Sequence, residues 1–322
     1  MSGTNVQFLP FYDRFRSGES LGYPAKIGIS TGAGLFYLLV QYLTLADKYA
    51  IVSQRCWILA VIISAALLAL YIATDIFRRN LVLVEKLQGR QPISDEVINN
   101  WLTDRGYLIC GFAFSMTTAL VSYFLGVPEI FRQNLLSLFT IYGGYALAGF
   151  TSGMGVYGIV GIIVLFLKLS PCLHHSLDPM AADGAGGIKR LGDSLWFFAM
   201  LTGAIGLLAS MYMFGISWTN MGESWARILF LIWLAFPYLV AISIVLIPGL
   251  AIRRNVQEFK QHKERELRQE HARVYTSLKN VVAENDSDIV ARNRELTARL
   301  NKIQKQMAKL RAMRESHIDP KD

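Results

Sequence analysis

Five long stretches of the chain contain no charged side chain and consist mostly of apolar residues. They are residues 27–46, 57–74, 106–126, 194–217 and 228–252. A helix needs about 20 such residues to cross the hydrocarbon core of a bilayer, because each residue advances it by only about 1.5 Å. The pattern therefore predicts at least five membrane-spanning helices.

A sixth uncharged stretch, residues 135–167, is longer than one bilayer crossing requires. It contains 33 residues, and as one straight helix it would measure about 50 Å. Either it forms one tilted or kinked helix, or the glycine-rich segment 151–155 turns back and divides it into two short passes. The distribution of charge favours one pass, which gives about six spans in all.

Lysine and arginine collect on one side of the membrane under the six-span arrangement. Residues 1–26, the loops 75–105 and 168–193, and the tail 253–322 then share the side that holds most cations, and the positive-inside rule makes that side cytoplasmic. The loops on the other side hold only Lys48, Arg55, Arg132 and Arg227. The sequence thus predicts an all-α, polytopic transmembrane helix bundle with both termini in the cytoplasm.

The composition agrees with a chain that is solvated mainly by lipid. Hydrophobic residues make up 53% and charged residues 17% of the 322 residues, which is too apolar for an ordinary soluble domain. The net charge is +8, but 17 of the 32 lysines and arginines lie after Leu250, where membrane topology already explains them. We therefore do not expect nucleic-acid binding, and the first 26 residues show no cleavable signal peptide.

The C-terminal tail, residues 253–322, carries two helical stripes of apolar residues. The first stripe ends where the cap-forming segment 284–288 interrupts it, and the second follows a heptad pattern. The members of the second stripe are Leu296, Leu300, Ile303, Met307 and Leu310. Because these residues need a covering surface, we expect an antiparallel hairpin within the tail, or a coiled coil with the tails of neighbouring subunits in a homo-oligomer. A cytosolic protein could also bind residues 253–322.

Small residues and one proline mark the candidate pathway through the membrane. No Asp, Glu, Lys, Arg or His lies near the middle of a span, which argues against a proton-coupled pump because such proteins usually keep an ionisable group there. A pore lined by hydroxyls and backbone, or built from broken helices, is still compatible. The pore or hinge candidates are Thr151, Ser152, Gly153, Gly155 and Pro237. The small residues of 151–155 favour either close packing against another helix or a hinge or unwound segment that exposes carbonyls to the pathway.

The loop before residue 194 contains a glycine cluster followed by two cations. Backbone N–H groups, a helix N-terminus and two cations together favour an anion such as a lipid headgroup or a nucleotide phosphate. The candidate residues are Gly184, Gly186, Gly187, Lys189 and Arg190. The alternative is a tight turn followed by two cations at the inner leaflet. Cys172, His174, His175, Asp178 and Asp183 in the same loop match no closed zinc site. We therefore expect neither a metal nor a cofactor.

The segment 183–188, which reads Asp-Gly-Ala-Gly-Gly-Ile, resembles a D-x-x-G-G-hydrophobic cytoplasmic loop of uncharacterised prokaryotic multi-pass membrane proteins. The resemblance covers fewer than a dozen residues and implies no activity. It agrees with a location in the inner (plasma) membrane of a bacterium. Membrane lipids are the expected surroundings of the chain.

These patterns lead to a first functional hypothesis and two alternatives. The first is an oligomeric channel or pore-like protein that its cytoplasmic helical tail assembles or gates. The second is a non-conducting membrane sensor or scaffold whose tail recruits a cytosolic partner. The third is a membrane enzyme that acts on a lipid or small phosphate through the loop around His174 and Asp183, but without a catalytic motif we do not expect an enzyme.

Overall fold

The computed structural model describes residues 22–88, 103–169, 189–283 and 289–312. These residues fold into helices, and no strand occurs among them. The helices are α1 Tyr23–Thr44, α2 Ala50–Ser53, α3 Cys56–Gln88, α4 Asp104–Leu125, α5 Glu129–Arg132, α6 Leu135–Leu169, α7 Lys189–Gly215, α8 Ser224–Ala283 and α9 Ile289–Ala312.

Six of these helices, α1, α3, α4, α6, α7 and α8, are long and apolar enough to cross a membrane. This confirms the predicted all-helical membrane class and the number of spans. Large apolar side chains also lie exposed on these helices, and Phe36 of α1 is 68% exposed. An apolar surface of this extent is compatible with lipid but not with water.

The overlong sixth stretch is a single α-helix, because α6 continues from Leu135 to Leu169 without interruption. The chain therefore does not turn back at 151–155, and one long helix fills this stretch. The glycines of α6 are compatible with a helix because two of them pack against a neighbour. A Cβ at Gly149 would lie 2.8 Å from the carbonyl oxygen of Phe114 in α4, and a Cβ at Gly153 would lie 2.6 Å from that of Cys110. Small residues allow this close approach, which drives helix association in lipid.

The described residues form two compact units. The first unit lies within residues 1–86, 92–165 and 195–245, and the second lies within residues 87–91, 166–194 and 246–322. Three short connections of the first unit meet at one of its ends, which we call the short-loop end: residues 45–55, 126–134 and 216–223. Hydrogen bonds join these loops, including Thr219 N to Gly126 O at 3.0 Å and Ser217 N to Gln54 Oε1 at 3.2 Å.

Helix α1 buries its polar face and exposes its apolar face. The buried residues are Lys26, Ser30, Gly34, Tyr37, Gln41 and Thr44, and their spacing of three and four places them on one side of the helix. Such an arrangement suits a helix between lipid and protein, since apolar side chains meet the lipid and polar side chains meet other helices. The first candidate span therefore begins at Tyr23, four residues before the predicted start at residue 27, and it includes Lys26.

The second unit contains an antiparallel pair formed by α9 and the later part of α8. Arg311 Nη2 of α9 lies 3.0 Å from Glu264 Oε1 of α8, and Arg299 Nε lies 3.8 Å from Glu270 Oε1. Ile303 and Leu310 are each only 2% exposed, whereas Leu296, Leu300 and Met307 are half-buried. Two of the five heptad residues are thus buried within one chain, and the other three are partly covered.

The carboxylate of Glu264 provides a pH-dependent contact between these two helices. The hydrogen bond from Arg268 and the next largest cause, the hydrogen bond from Arg311, hold the pKa of Glu264 below its usual value. Because the folded pKa is lowered, the contact stabilises the pair at neutral pH and is lost as the pH falls through that lowered value. We expect Glu264→Gln to cause a small increase in amide hydrogen exchange of α9 at pH 7, with no difference from the wild type once the wild-type carboxylate is protonated. Glu266→Gln is the control, since Glu266 pairs with Lys263 on its own helix. At each pH, the amide hydrogen exchange of α9 in this variant should equal that of the wild type.

Candidate functional site

The first unit contains a cavity of about 230 Å³ that follows the helices over most of their membrane-spanning length. Its walls run from Leu59 to Phe77 on α3, from Tyr107 to Leu125 on α4 and from Tyr145 to Ile162 on α6. At 1.5 Å per residue, each of these intervals covers about 25–27 Å. The hydrocarbon core of a bilayer is about 30 Å thick, so the lined stretch of each helix is nearly as long as that core is thick.

The cavity wall carries no Asp, Glu, Lys, Arg or His among the residues that the structure describes. Its threonine and serine hydroxyls are mostly bonded within their own helices, since six of them donate to the carbonyl four residues earlier at 2.7–3.0 Å. These residues are Thr74, Thr118, Ser122, Thr151, Thr202 and Ser210. Because these donors are already used, the wall offers a mainly apolar surface that does not require water.

Aromatic side chains line the cavity toward the short-loop end. The hydroxyl oxygens of Tyr145 and Tyr212 lie 2.9 Å apart, and Trp218 Nε1 donates to the carbonyl of Met213 at 2.9 Å. The ring centroids of Tyr145 and Trp218 are 6.2 Å apart. The apolar core of this end includes Phe131, which is fully buried and does not line the cavity.

Four of the five predicted pore or hinge residues line this cavity: Thr151, Ser152, Gly155 and Pro237. A Cβ at Gly155 would meet no atom within 4 Å, which agrees with its position at an open space. Gly153 lies instead at the contact with α4 described above. A role of these residues in conduction or bending is still a prediction.

The interpretation of Thr151–Gly155 as an unwound segment with free carbonyls is wrong, because α6 is helical throughout this segment. The close contact of Gly149 and Gly153 with α4 explains the outcome: it stabilises the helical form, and it offsets the low helix propensity of glycine. The helix α8 likewise continues through Pro237, which packs against Gly206 of α7.

The predicted anion site falls mostly outside the described residues. Gly184, Gly186 and Gly187 belong to that part of the chain, as do Cys172, His174, His175, Asp178 and Asp183. Lys189 and Arg190 are the first residues of α7. Within residues 22–88, 103–169, 189–283 and 289–312, no group of three or more His, Cys, Asp or Glu side chains is arranged to hold a metal ion.

The sequence did not indicate two polar arrangements that the structure contains. Lys26 of α1 forms an ion pair with Asp75 of α3, and Tyr145 of α6 bonds to Tyr212 of α7. The sequence does contain a pattern that indicates a buried polar face on α1, since polar residues recur every three or four positions from Lys26 to Thr44 in an otherwise apolar helix. Nothing in the sequence distinguished Tyr145 and Tyr212 from the other tyrosines of the spans.

Comparisons with protein-family models, curated proteins and solved structures found no match to this chain.

Proposed function

We propose that this chain is a pore-like membrane protein whose pathway is the cavity inside one chain, and that it takes up a neutral, largely apolar molecule. The observation that carries the proposal is the length of that cavity together with its lack of charged wall residues. A space of this kind lowers the free energy of an apolar molecule through contact with hydrocarbon groups.

The same wall is poorly suited to ions. An ion that leaves water needs charged side chains or free carbonyl oxygens to replace its hydration shell. The cavity wall has no charged side chain among the described residues, and the carbonyls of 151–155 lie within the continuous helix α6. We therefore propose that the molecule that enters the cavity is neutral and is not an ion.

For the orientation, we propose that the short-loop end faces away from the cytoplasm in a bacterial inner membrane. The loops that meet there hold only Lys48, Arg55, Arg132 and Arg227, whereas most cations lie in the other connections and the tail. Both termini are then cytoplasmic, and α8 and α9 form a cytoplasmic coiled hairpin. This hairpin is the element that we propose to assemble or gate the pathway.

Recruitment of a cytosolic partner by the tail is the second candidate function. One aromatic residue favours it, because Tyr275 is 59% exposed on the later, charged part of α8 and stacks on His271. Exposed aromatic side chains are common anchors in protein interfaces.

Filling the cavity at Gly155 should remove the proposed function. A leucine at position 155 enters open space, so we expect Gly155→Leu to fold normally and to exclude an apolar ligand. The probe is heptadecane that carries one aliphatic diazirine, used on purified protein in lipid nanodiscs. Mass spectrometry should find saturable cross-links on cavity-lining peptides of α6 in the wild type, and excess heptadecane should prevent them. We expect at least a tenfold loss in Gly155→Leu.

The matched control is Gly143→Leu in the same helix. Its added Cβ also meets no atom within 4 Å, but Gly143 is exposed and does not line the cavity. This variant should retain the saturable labelling. Equal labelling of the wild type and Gly155→Leu would show that the cavity does not bind the probe, and the proposal would then fail.

A further inference from the structure

The cavity wall includes a pair of buried tyrosine hydroxyls toward the short-loop end. Tyr145 and Tyr212 both line the cavity, and each is only 3% exposed. Their hydroxyl oxygens are 2.9 Å apart. Among the described residues, neither hydroxyl makes a hydrogen bond to any other group.

Such a pair leaves one proton donor unused. In a hydrogen bond between two hydroxyls, one O–H donates and the other oxygen accepts, so the accepting hydroxyl still carries its own proton. A buried donor without an acceptor is unfavourable, and native proteins rarely leave one. The nearby Trp218 does not compete for an acceptor in the cavity, because its N–H already donates to Met213.

The shape of the cavity adds a second constraint. Its lining residues extend along about 25–27 Å of α3, α4 and α6, so the space is elongated. A single extended hydrocarbon chain matches this space better than a compact solute of the same volume.

We infer that the ligand is an elongated neutral lipid with one apolar chain and a terminal acceptor oxygen, such as a carbonyl, and that Tyr145 and Tyr212 bind this oxygen. The inference rests on the proposed function, because it requires that the cavity takes up an apolar molecule. The chain then lies along α3, α4 and α6, with the oxygen at the end nearest the short loops. A neutral head is required because the cavity wall offers no charged partner among the described residues.

The test compares 2-heptadecanone with heptadecane as competitors of the diazirine probe. The two competitors have chains of equal length and differ by one carbonyl oxygen. In the wild type we expect the ketone to protect the α6 peptides better than the alkane. Because partition into the lipid is the same for every variant, the change in the ketone-to-alkane ratio between variants reports the contribution of the tyrosines alone.

The double variant Tyr145→Phe with Tyr212→Phe should lower that ratio about three- to tenfold, which is the range for one hydrogen bond. Each single variant should keep the ratio near the wild-type value, since one phenolic O–H remains in either case. The double variant should also fold, because isosteric replacement of both partners leaves no unpaired hydroxyl. Tyr37→Phe is the control, because Tyr37 is buried in the same core but does not line the cavity.

The outcomes separate the two proposals. If the double variant keeps the wild-type ratio, or if Ser152→Ala removes the preference instead, the tyrosine pair does not bind the oxygen. The proposed function survives such a result as long as Gly155→Leu still abolishes the labelling by the alkane probe. If Gly155→Leu leaves the labelling intact, both proposals fail.

Discussion

Asp75→Ala should destabilise the first unit by about 3–5 kcal/mol, because it leaves the ammonium group of Lys26 buried without its counter-charge. Lys26 is 3% exposed and Asp75 is 18% exposed, and the two form the ion pair between α1 and α3. The measurement is reversible unfolding in mixed micelles of increasing dodecyl sulfate content, followed by far-ultraviolet circular dichroism.

The reverse single variant, Lys26→Met, should also be destabilising, because it leaves a carboxylate at the same contact. The double variant Lys26→Met with Asp75→Ala should be more stable than either single variant, since it removes both charges from the interior. Asp193→Ala is the control, because Asp193 is exposed and its removal should change the stability by less than about 0.5 kcal/mol. Additive effects of the two single changes would show that Lys26 and Asp75 are independent groups.

The architecture was largely predictable because a bilayer imposes strong constraints on the sequence. A spanning helix must be long and uncharged, so each of the six helices left a readable pattern. The single helix over 135–167 was favoured by the placement of lysine and arginine alone. The tail hairpin was predictable as one of two arrangements, because a heptad stripe shows that a partner exists but not which chain supplies it.

The wall of the cavity was harder to predict, because it depends on which neighbour each face of a helix meets. Gly153 and Gly155 are only two residues apart, but they point about 200° apart around α6. One packs on α4 and the other lines the cavity. The pair of Lys26 and Asp75 was missed for a related reason: a lysine at the end of a span looks interfacial until the helix that carries its counter-charge is known.

The second large effect is expected in the tail. Ile303 lies on the face of α9 that the antiparallel pair buries, and it is 2% exposed. Ile303→Asp places a carboxylate there without a partner, and the cost of burying it exceeds that of exposing the face. We expect α9 to separate from α8, and amide hydrogen exchange of 289–312 to rise by at least a hundredfold, because an isolated helix of 24 residues is only marginally stable in water.

Gln304→Asp is the matched control, because it introduces the same charge at the adjacent, exposed position of α9. It should leave the exchange of α9 close to the wild-type rate. Light scattering of the detergent-solubilised protein then distinguishes the two uses of the heptad residues. If Ile303→Asp raises the exchange but leaves the molecular mass unchanged, the residues stabilise a hairpin within each chain. If the mass falls instead, the same residues join the tails of neighbouring subunits, and the covered face of Ile303 belongs to an assembly surface.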